Sequence, residues 1–216
     1  MTEQVNEACT KVKADPNYQG KFNLIGISQG GMIARGILQQ CPGLQVSNLI
    51  TIGSPVMGVS KFPECEIGVR CAMYDNAAKL GVYSSTFQAL GPGGYLKDPY
   101  QYKTYLKKSS FLADLNNERK INKKYIDAYL SLEHFVQFYF TEDSVVIPKQ
   151  SEWFGYFKEN SDVVLTYNET SNYINNYLGF RTMDEQGKII RVLIEAGHCD
   201  LTARQVKRYL LPYLQD

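Results

Sequence analysis

Short apolar runs alternate with amphipathic segments over the first 52 residues. Residues 22–27 and 49–52 are apolar runs typical of buried strands, and residues 32–40 between them have a helical pattern that ends at Cys-Pro-Gly. Apolar residues of the first segment recur at helical spacing at Val5, Ala8, Cys9 and Val12. We therefore predict helix, strand, helix, strand, the alternation that builds a mostly parallel sheet with flanking helices.

The pattern changes over residues 58–133, where clear strands are lacking. Helical stretches are predicted at 77–90, 111–117 and 125–132, separated by Gly- and Pro-rich breakers. We interpret this region as a helical insertion above the sheet, within a single domain that covers residues 1–216. Alternation resumes with strands predicted at 135–140 and 189–196, a hairpin-like turn at 184–187, and a helix from Thr202.

Charge and composition argue against three kinds of function: nucleic-acid binding, spanning a membrane and holding a metal through several histidines. The 216 residues include 23 Lys and Arg against 22 Asp and Glu, so no basic field favours nucleic-acid binding. No apolar run approaches the ~20 residues that a membrane span needs. With only two histidines, a His-rich metal site is excluded, and we predict neither a metal nor a cofactor.

The segment Gly26-Ile27-Ser28-Gln29-Gly30 has the form G-x-S-x-G between a predicted strand and a predicted helix. In that context the motif predicts a tight turn that exposes a nucleophilic serine at the carboxyl end of the sheet. Ser28 is therefore the candidate nucleophile, and the backbone N–H of Gln29 is a candidate oxyanion donor.

A nucleophilic serine needs a base and an acid, which follow it along the chain in this architecture. His198 comes two residues after a predicted strand and is the candidate base. Asp143, directly after strand 135–140, is the candidate acid that orients the imidazole. Glu142 is its adjacent competitor. Two weaker acid candidates lack a clear preceding strand, Asp162 and Asp184, and His134, at the wrong end of a strand, is interpreted as structural.

Five cysteines and one glycosylation sequon indicate the kind of cellular compartment in which the protein folds. Cys9 lies late in the first predicted helix and Cys41 at the end of the second, and both helices run antiparallel to the same strand. A disulfide between them is feasible if the helices cover the same face of the sheet, and Cys65 with Cys71 could close a small ring. Cys199 is left over. Disulfides indicate an oxidising compartment, although five thiols in a reducing compartment remain the alternative. The sequon at Asn168 favours the oxidising one, while the polar residues after Met1 form no signal peptide.

Several segments resemble the palmitoyl-protein thioesterases of the lysosomal type 1. They are NLIGISQGG (23–31), SSFLADLNNER (109–119), EDSVVIPKQSEWFGYF (142–157) and AGHCDL (196–201). The resemblance implies an α/β-hydrolase that removes long-chain acyl groups from S-acylated proteins or peptides, in the lysosome or after secretion. It matches Ser28 to the nucleophile, Asp143 to the acid, His198 to the base and Gln29 to an oxyanion donor. It also places family disulfides at Cys9–Cys41 and Cys65–Cys71.

Some positions depart from the family pattern. Val56 and Met57 stand where the family commonly has polar residues. Ala196-Gly197-His198 stands where family members often have Gly-Asp-His, so Gly197 replaces a carboxylate before the base. We expect the helical insertion and the aromatic residues near Trp153 to line an acyl groove.

The region before Ser28 lacks the early strands of an α/β-hydrolase, including the loop that supplies the second oxyanion donor. The domain is therefore expected to be N-terminally incomplete, with strand 22–27 at an exposed sheet edge through which the chain associates with a partner. Two alternatives to a thioesterase stay open. One is a non-catalytic module that binds acyl chains or a protein, and the other is a lipase or other esterase.

Overall fold

The computed structural model describes residues 1–61 and 81–214. Its centre is a four-stranded parallel sheet in the order β1-β2-β3-β6. The strands of this sheet are β1 (Lys21–Ile27), β2 (Gln45–Ile52), β3 (His134–Phe140) and β6 (Ile189–Ile194). A separate antiparallel pair is formed by β4 (Tyr156–Phe157) and β5 (Val164–Leu165). The parallel sheet with flanking helices confirms the predicted α/β-hydrolase fold class.

Helices precede, connect and follow these strands. They are α1 (Thr2–Ala14), α2 (Gln29–Gln40), α3 (Ser85–Ala89), α4 (Tyr102–Lys108), α5 (Leu112–Leu115), α6 (Lys123–Leu130), α7 (Ser171–Ile174), α8 (Phe180–Glu185) and α9 (Ala203–Gln205). A helical turn over Val206–Leu210 continues α9. None of the helices in the described ranges has the length and apolar character that crossing a membrane requires.

Alternate residues of the strands pack in two apolar layers, one on each face of the sheet. Leu49 and Phe135 pack on one face with residues of α2, α6 and α8, such as Tyr129. Ile50 and Val136, each one position further along, pack on the opposite face against the C-terminal segment. The period of two along each strand therefore makes a three-layer structure with the sheet in the middle.

A third apolar cluster lies outside these layers. It joins α1 to the described part of the region between β2 and β3, and its buried members include Val5, Phe87, Tyr105 and Leu112. The helix α6, at the end of that region, instead packs in the layer on the sheet through Tyr129. The prediction of a distinct insertion over 58–133 stays a prediction, and the first part of its stretch 77–90 falls outside the described residues.

One local prediction was wrong. The segment 184–187 is not a hairpin turn, because α8 precedes it and β6 pairs in parallel with β3. Gly187 has φ +70 and the N–H of Lys188 bonds the carbonyl of Met183. The glycine that suggested a hairpin therefore ends a helix in a left-handed conformation.

Arg35 joins the sheet layer to the outer cluster from the middle of α2. Its side chain is fully buried and donates to Tyr129 Oη at 2.8 Å, to the carbonyl of Val56 at 2.5 Å and to Asn116 Oδ1 at 2.7 Å. The guanidinium also lies 5.0 Å from the centre of the Phe154 ring. Three neutral acceptors from different segments thus satisfy this buried cation and tie α2 to the loop after β2 and to α6.

The turn between β1 and α2 is closed by an unusually tight backbone contact. A Cβ at Gly26 would lie 2.3 Å from the Cα of Gly31, and one at Gly31 would lie 2.0 Å from Ser54 Oγ. Real Cβ atoms essentially never come so close, so strand and helix can approach only because both positions are glycine. Gly30, in the same turn, has nothing within 4 Å of its Cβ position.

Gly26→Ala should therefore lower the free energy of unfolding by about 1–3 kcal/mol or more, because the backbone of α2 must shift to admit the methyl group. The matched control, Gly30→Ala, should stay within about 1 kcal/mol of the wild type. Urea unfolding followed by circular dichroism measures both. Equal losses in the two variants would contradict the tight contact.

Candidate active site

Ser28 lies at the point where β1 passes into α2. Its backbone has φ 52 and ψ −126, a conformation that non-glycine residues rarely adopt. The N–H of Ser28 donates to the carbonyl of Ile52 at the end of β2, at 2.8 Å. The neighbouring strand thus holds this strained backbone at the carboxyl edge of the sheet.

The three sequence-predicted residues of a triad come together at this edge. Ser28 Oγ lies 3.0 Å from His198 Nε2, and His198 Nδ1 lies 2.5 Å from Asp143 Oδ2. Because the carboxylate can only accept at Nδ1, the ring proton is on Nδ1 and Nε2 is free to accept the hydroxyl proton of Ser28. The arrangement has the hydrogen-bond order of a serine nucleophile, a base and an orienting acid.

Asp143 is held as an anion inside the protein. Its side chain is fully buried, and Oδ1 accepts the N–H groups of Val145 at 2.6 Å and Val146 at 3.0 Å. Burial alone would raise the pKa of Asp143, but hydrogen bonds from His198, Glu152 and these two N–H groups together lower it to about 2. Asp143 is therefore charged at neutral pH.

The pKa of His198 is shifted in the opposite direction. The hydrogen bond to Asp143, followed by one to Cys199, raises it above its ordinary value despite the burial of the ring. The imidazolium that forms when His198 takes a proton is stabilised by this contact. That property suits a base which must hold the proton of Ser28 during a reaction.

Other candidate residues occupy different positions. His134 contacts Asn48 Oδ1 at 3.1 Å and the ring of Tyr213, at the opposite end of β3, so it takes no part in this cluster. Asp184 pairs with Arg191 at 2.9 Å. Glu142 follows β3 directly, but His198 bonds its neighbour Asp143, so of these acids Asp143 is the one the structure brings to the histidine.

Gln29 is the first residue of α2, where a backbone N–H has no acceptor within the helix. Its side chain contacts the region between β2 and β3, because Tyr95 Oη donates to Gln29 Oε1 at 3.3 Å and Gly91 lies against the same amide. The described part of the region thus reaches over the turn that carries Ser28. The role of the Gln29 N–H as an oxyanion donor stays a prediction.

Cys9 and Cys41 form a disulfide, with Cα atoms 5.7 Å apart. It joins α1 to the end of α2, and in the middle of α2 Gly36 also lies against Val5 of α1. Cys65 and Cys71 lie outside the described residues, so their pairing stays a prediction. Asn168 lies on an exposed turn, which leaves its side chain accessible for modification.

Sequence reasoning missed one residue of this cluster, Glu152. It was part of the segment SEWFGYF, whose aromatic residues were expected to line a groove. Trp153 stacks on Tyr139 of β3 and donates to the carbonyl of Gln137 at 2.9 Å, and the groove stays a prediction. Glu152, the residue before it, is buried beside Asp143. A carboxyl group within an aromatic run was the available signal, because such a group must be paired when it is buried.

Comparison with known proteins identifies the family of this chain. The family model described as Palmitoyl protein thioesterase matches residues 1–198. The chain belongs to the palmitoyl protein thioesterase family. Membership makes it a thioesterase, a class of hydrolase, and confirms the family predicted from the sequence.

Relatives of this family are found in distant organisms. The chain is 36% identical to Palmitoyl-protein thioesterase 1 of Caenorhabditis elegans, over 92% of this chain and 68% of that protein. It is 34% identical to Palmitoyl-protein thioesterase 3 of Dictyostelium discoideum, over 100% of this chain and 76% of that protein. A further relative, at 34% identity over 79% of this chain and 59% of that protein, is the Lysosomal thioesterase PPT2 homolog of Drosophila melanogaster. The family thus includes lysosomal members.

The buried charge of Asp143 predicts a dependence of stability on acid. Because its pKa is lower in the folded state than the ordinary 3.8, the stabilisation is fully present above about pH 4 and is lost as the pH falls through about 2. Between pH 4 and pH 2 the free energy of unfolding of Asp143→Asn should fall by about 2 kcal/mol less than that of the wild type.

Urea unfolding at a series of pH values measures this difference. Asp127→Asn removes the same charge from an exposed position and serves as the control, and it should follow the wild type. Parallel curves for Asp143→Asn and the wild type would contradict the buried carboxylate.

Proposed function

We propose that this chain hydrolyses long-chain acyl thioesters, such as palmitoyl groups on cysteines of S-acylated proteins or peptides, with Ser28, His198 and Asp143 as its catalytic triad. The observation that carries the proposal is the continuous hydrogen-bond chain from Ser28 Oγ through His198 to Asp143, on the strained turn between β1 and α2. Family membership and the names of the relatives supply the substrate class.

The reaction has two steps of acyl transfer. His198 Nε2 takes the proton of Ser28 as Oγ attacks the thioester carbonyl carbon, and the negative charge moves to the carbonyl oxygen. The N–H of Gln29, at the positive end of α2, donates to that oxyanion. The C–S bond then breaks, and the proton on His198 passes to the leaving thiolate sulfur. A water molecule, deprotonated by His198, releases the fatty acid from Ser28 in the same way.

Apolar side chains beside the triad support a hydrophobic substrate. Ile27, directly before Ser28, is 57% exposed, and Val145, two residues after Asp143, is 37% exposed. Burying an acyl chain stabilises a complex by ~0.8 kcal/mol for each CH₂ group, so binding needs no charged pocket. The acyl groove itself, and a place for Trp153 in it, are parts of the proposal.

A lysosomal or secretory location is proposed with this function. The disulfide between Cys9 and Cys41 supports an oxidising compartment, and the exposed position of Asn168 fits a glycosylation site. Lysosomal relatives point the same way.

The exposed edge of the sheet favours the second candidate function, a module that binds acyl chains or a partner protein. Within the described residues β1 pairs with β2 alone, and Ile25 is 43% exposed on it. Such an edge offers unpaired backbone groups and apolar side chains to another segment. Association through β1 is therefore part of this alternative.

The expected result for the folded wild-type chain is hydrolysis of a palmitoyl-cysteine peptide and labelling by a fluorophosphonate probe. Ser28→Ala should lose both, with a fall in kcat of about 10⁴-fold or more and an unchanged melting temperature. Ser131→Ala, an exposed serine on the end of α6, is the matched control and should keep both activities.

The substrate panel separates the alternatives. A matched palmitoyl oxygen ester that reacts faster than the thioester would favour a lipase or esterase. A folded chain that binds the acyl peptide, takes no probe and releases no fatty acid would contradict the proposal and favour the binding module.

A further inference from the structure

Glu152 is a buried carboxyl group that the triad alone does not explain. It lies in the short helical turn Lys149–Trp153, over the carboxyl end of β3, and is 1% exposed. Its Oε2 accepts the N–H of Phe140 at 2.8 Å. Its Oε1 is buried and has no hydrogen-bond donor among the described residues.

The neighbours of Glu152 leave it without a positive partner. One carboxylate oxygen of Glu152, one carboxylate oxygen of Asp143 and one ring nitrogen of His198 all lie within 4.8 Å of one another. The nearby Lys149 ammonium is directed elsewhere, because it donates to the carbonyl of Thr141. Within the described residues His198 pairs with Asp143, through its Nδ1–H, and not with Glu152.

Two ionised carboxylates at this distance in a dry interior would repel each other strongly, so one of them must hold a proton. Asp143 accepts two backbone N–H groups and the ring N–H of His198, all of which favour its charged form. Glu152 accepts one N–H. Burial and the closeness of Asp143 accordingly raise the pKa of Glu152 to about 10.

We propose that Glu152 is a positioning residue that stays protonated and donates its O–H to the carboxylate of Asp143, which fixes the charge on Asp143 and the orientation of that carboxylate toward His198. This inference rests on the proposed function, because it gives Glu152 a part in the same triad. The hydrogen bond from Glu152 draws electron density from the carboxylate of Asp143 and makes it less basic. The proton between Asp143 and His198 therefore stays on His198 Nδ1. His198 Nε2 then remains the free acceptor for the Ser28 hydroxyl.

The turn that carries Glu152 is well anchored for such a role. Ser151 Oγ donates to the carbonyl of Gly58 at 2.7 Å and accepts the N–H of Met57 at 3.0 Å. Trp153, on the other side, bonds β3. Flanking residues therefore fix the turn to the loop after β2 and to the middle of β3, and these contacts help to hold Glu152 against Asp143.

Two substitutions separate a neutral donor from a charged group. Glu152→Gln keeps the shape and can donate an N–H to Asp143, so its kcat should stay within about threefold of the wild type. Glu152→Leu removes both the donor and the acceptor, and its kcat should fall at least about tenfold while KM changes little. Because Asp143 then becomes more basic, the acid limb of the kcat/KM profile of this variant should move to higher pH.

A purely structural role would lower the stability of Glu152→Leu without moving the acid limb. The proposal is overturned if the folded leucine variant keeps the wild-type limb, or if the glutamine variant loses as much activity as the leucine variant. The latter result would mean that the negative charge of Glu152 is required.

A second measurement is independent of activity. The pKa of Glu152 is higher in the folded state than in the unfolded state. The stability that this group contributes is therefore present below about pH 4.5 and is lost as the pH rises toward 10. Glutamine does not titrate, so Glu152→Gln does not lose this stability. The folding equilibrium constant of Glu152→Gln should therefore rise relative to that of the wild type, by up to tenfold for each pH unit between 5 and 8.

The titratable groups that face Glu152 are Asp143, Tyr139, His198 and Cys199. The wild type and Glu152→Gln both contain them, so the comparison isolates the titration of Glu152. A difference that does not change with pH would overturn the protonated state. If Ser28-dependent hydrolysis is absent but the pH-dependent gain is present, the proposed function fails while the assignment of the proton to Glu152 stands.

Discussion

The structure depends on the close approach of strand β1 and helix α2 at Gly26 and Gly31. This contact forces the chain to reverse within a few residues, and the reversal places Ser28 in a backbone conformation that it would otherwise avoid. The hydrogen bond from the Ser28 N–H to Ile52 passes the strain to the neighbouring strand. A rigid sheet can hold such a conformation because its strands are already fixed by their own packing.

Parallel pairing then brings the rest of the site to the same edge. Ile27, Ile52 and Phe138 are aligned across β1, β2 and β3, and Phe140 is aligned with Ile194 on β6. The residues that follow these strands must therefore meet above the sheet, although 170 positions separate Ser28 from His198. The turn that carries Glu152 lies behind the triad. Strand β3 holds this turn as well, because the N–H of Phe140 donates to Glu152.

The sequence was informative where local pattern decides the structure. Strands β1, β2, β3 and β6 are short apolar runs, the turn at Ser28 has its own glycine spacing, and the order of the acid and base follows from the fold class. The turn before β6 was misjudged because a glycine after acidic residues ends a helix as readily as it makes a hairpin, and α8 has too few residues to show a clear period.

The features that the sequence did not predict are set by contacts between distant segments. Arg35 is a charged residue in an amphipathic helix, and its burial depends on acceptors from Val56, Asn116 and Tyr129. Glu152 is buried because of where the turn after β3 folds. In both cases a residue type that normally faces solvent is retained inside by partners on other segments, and sequence pattern does not show which segments will meet.

The most direct measurement is the capture of the acyl-enzyme. The folded chain would be mixed with a palmitoyl thioester, quenched in acid within one turnover, and analysed by intact mass and peptide mapping. We expect the mass to increase by one palmitoyl group, located on the peptide that contains Ser28. Turnover without an adduct, or an adduct on Cys199 instead, would contradict the account.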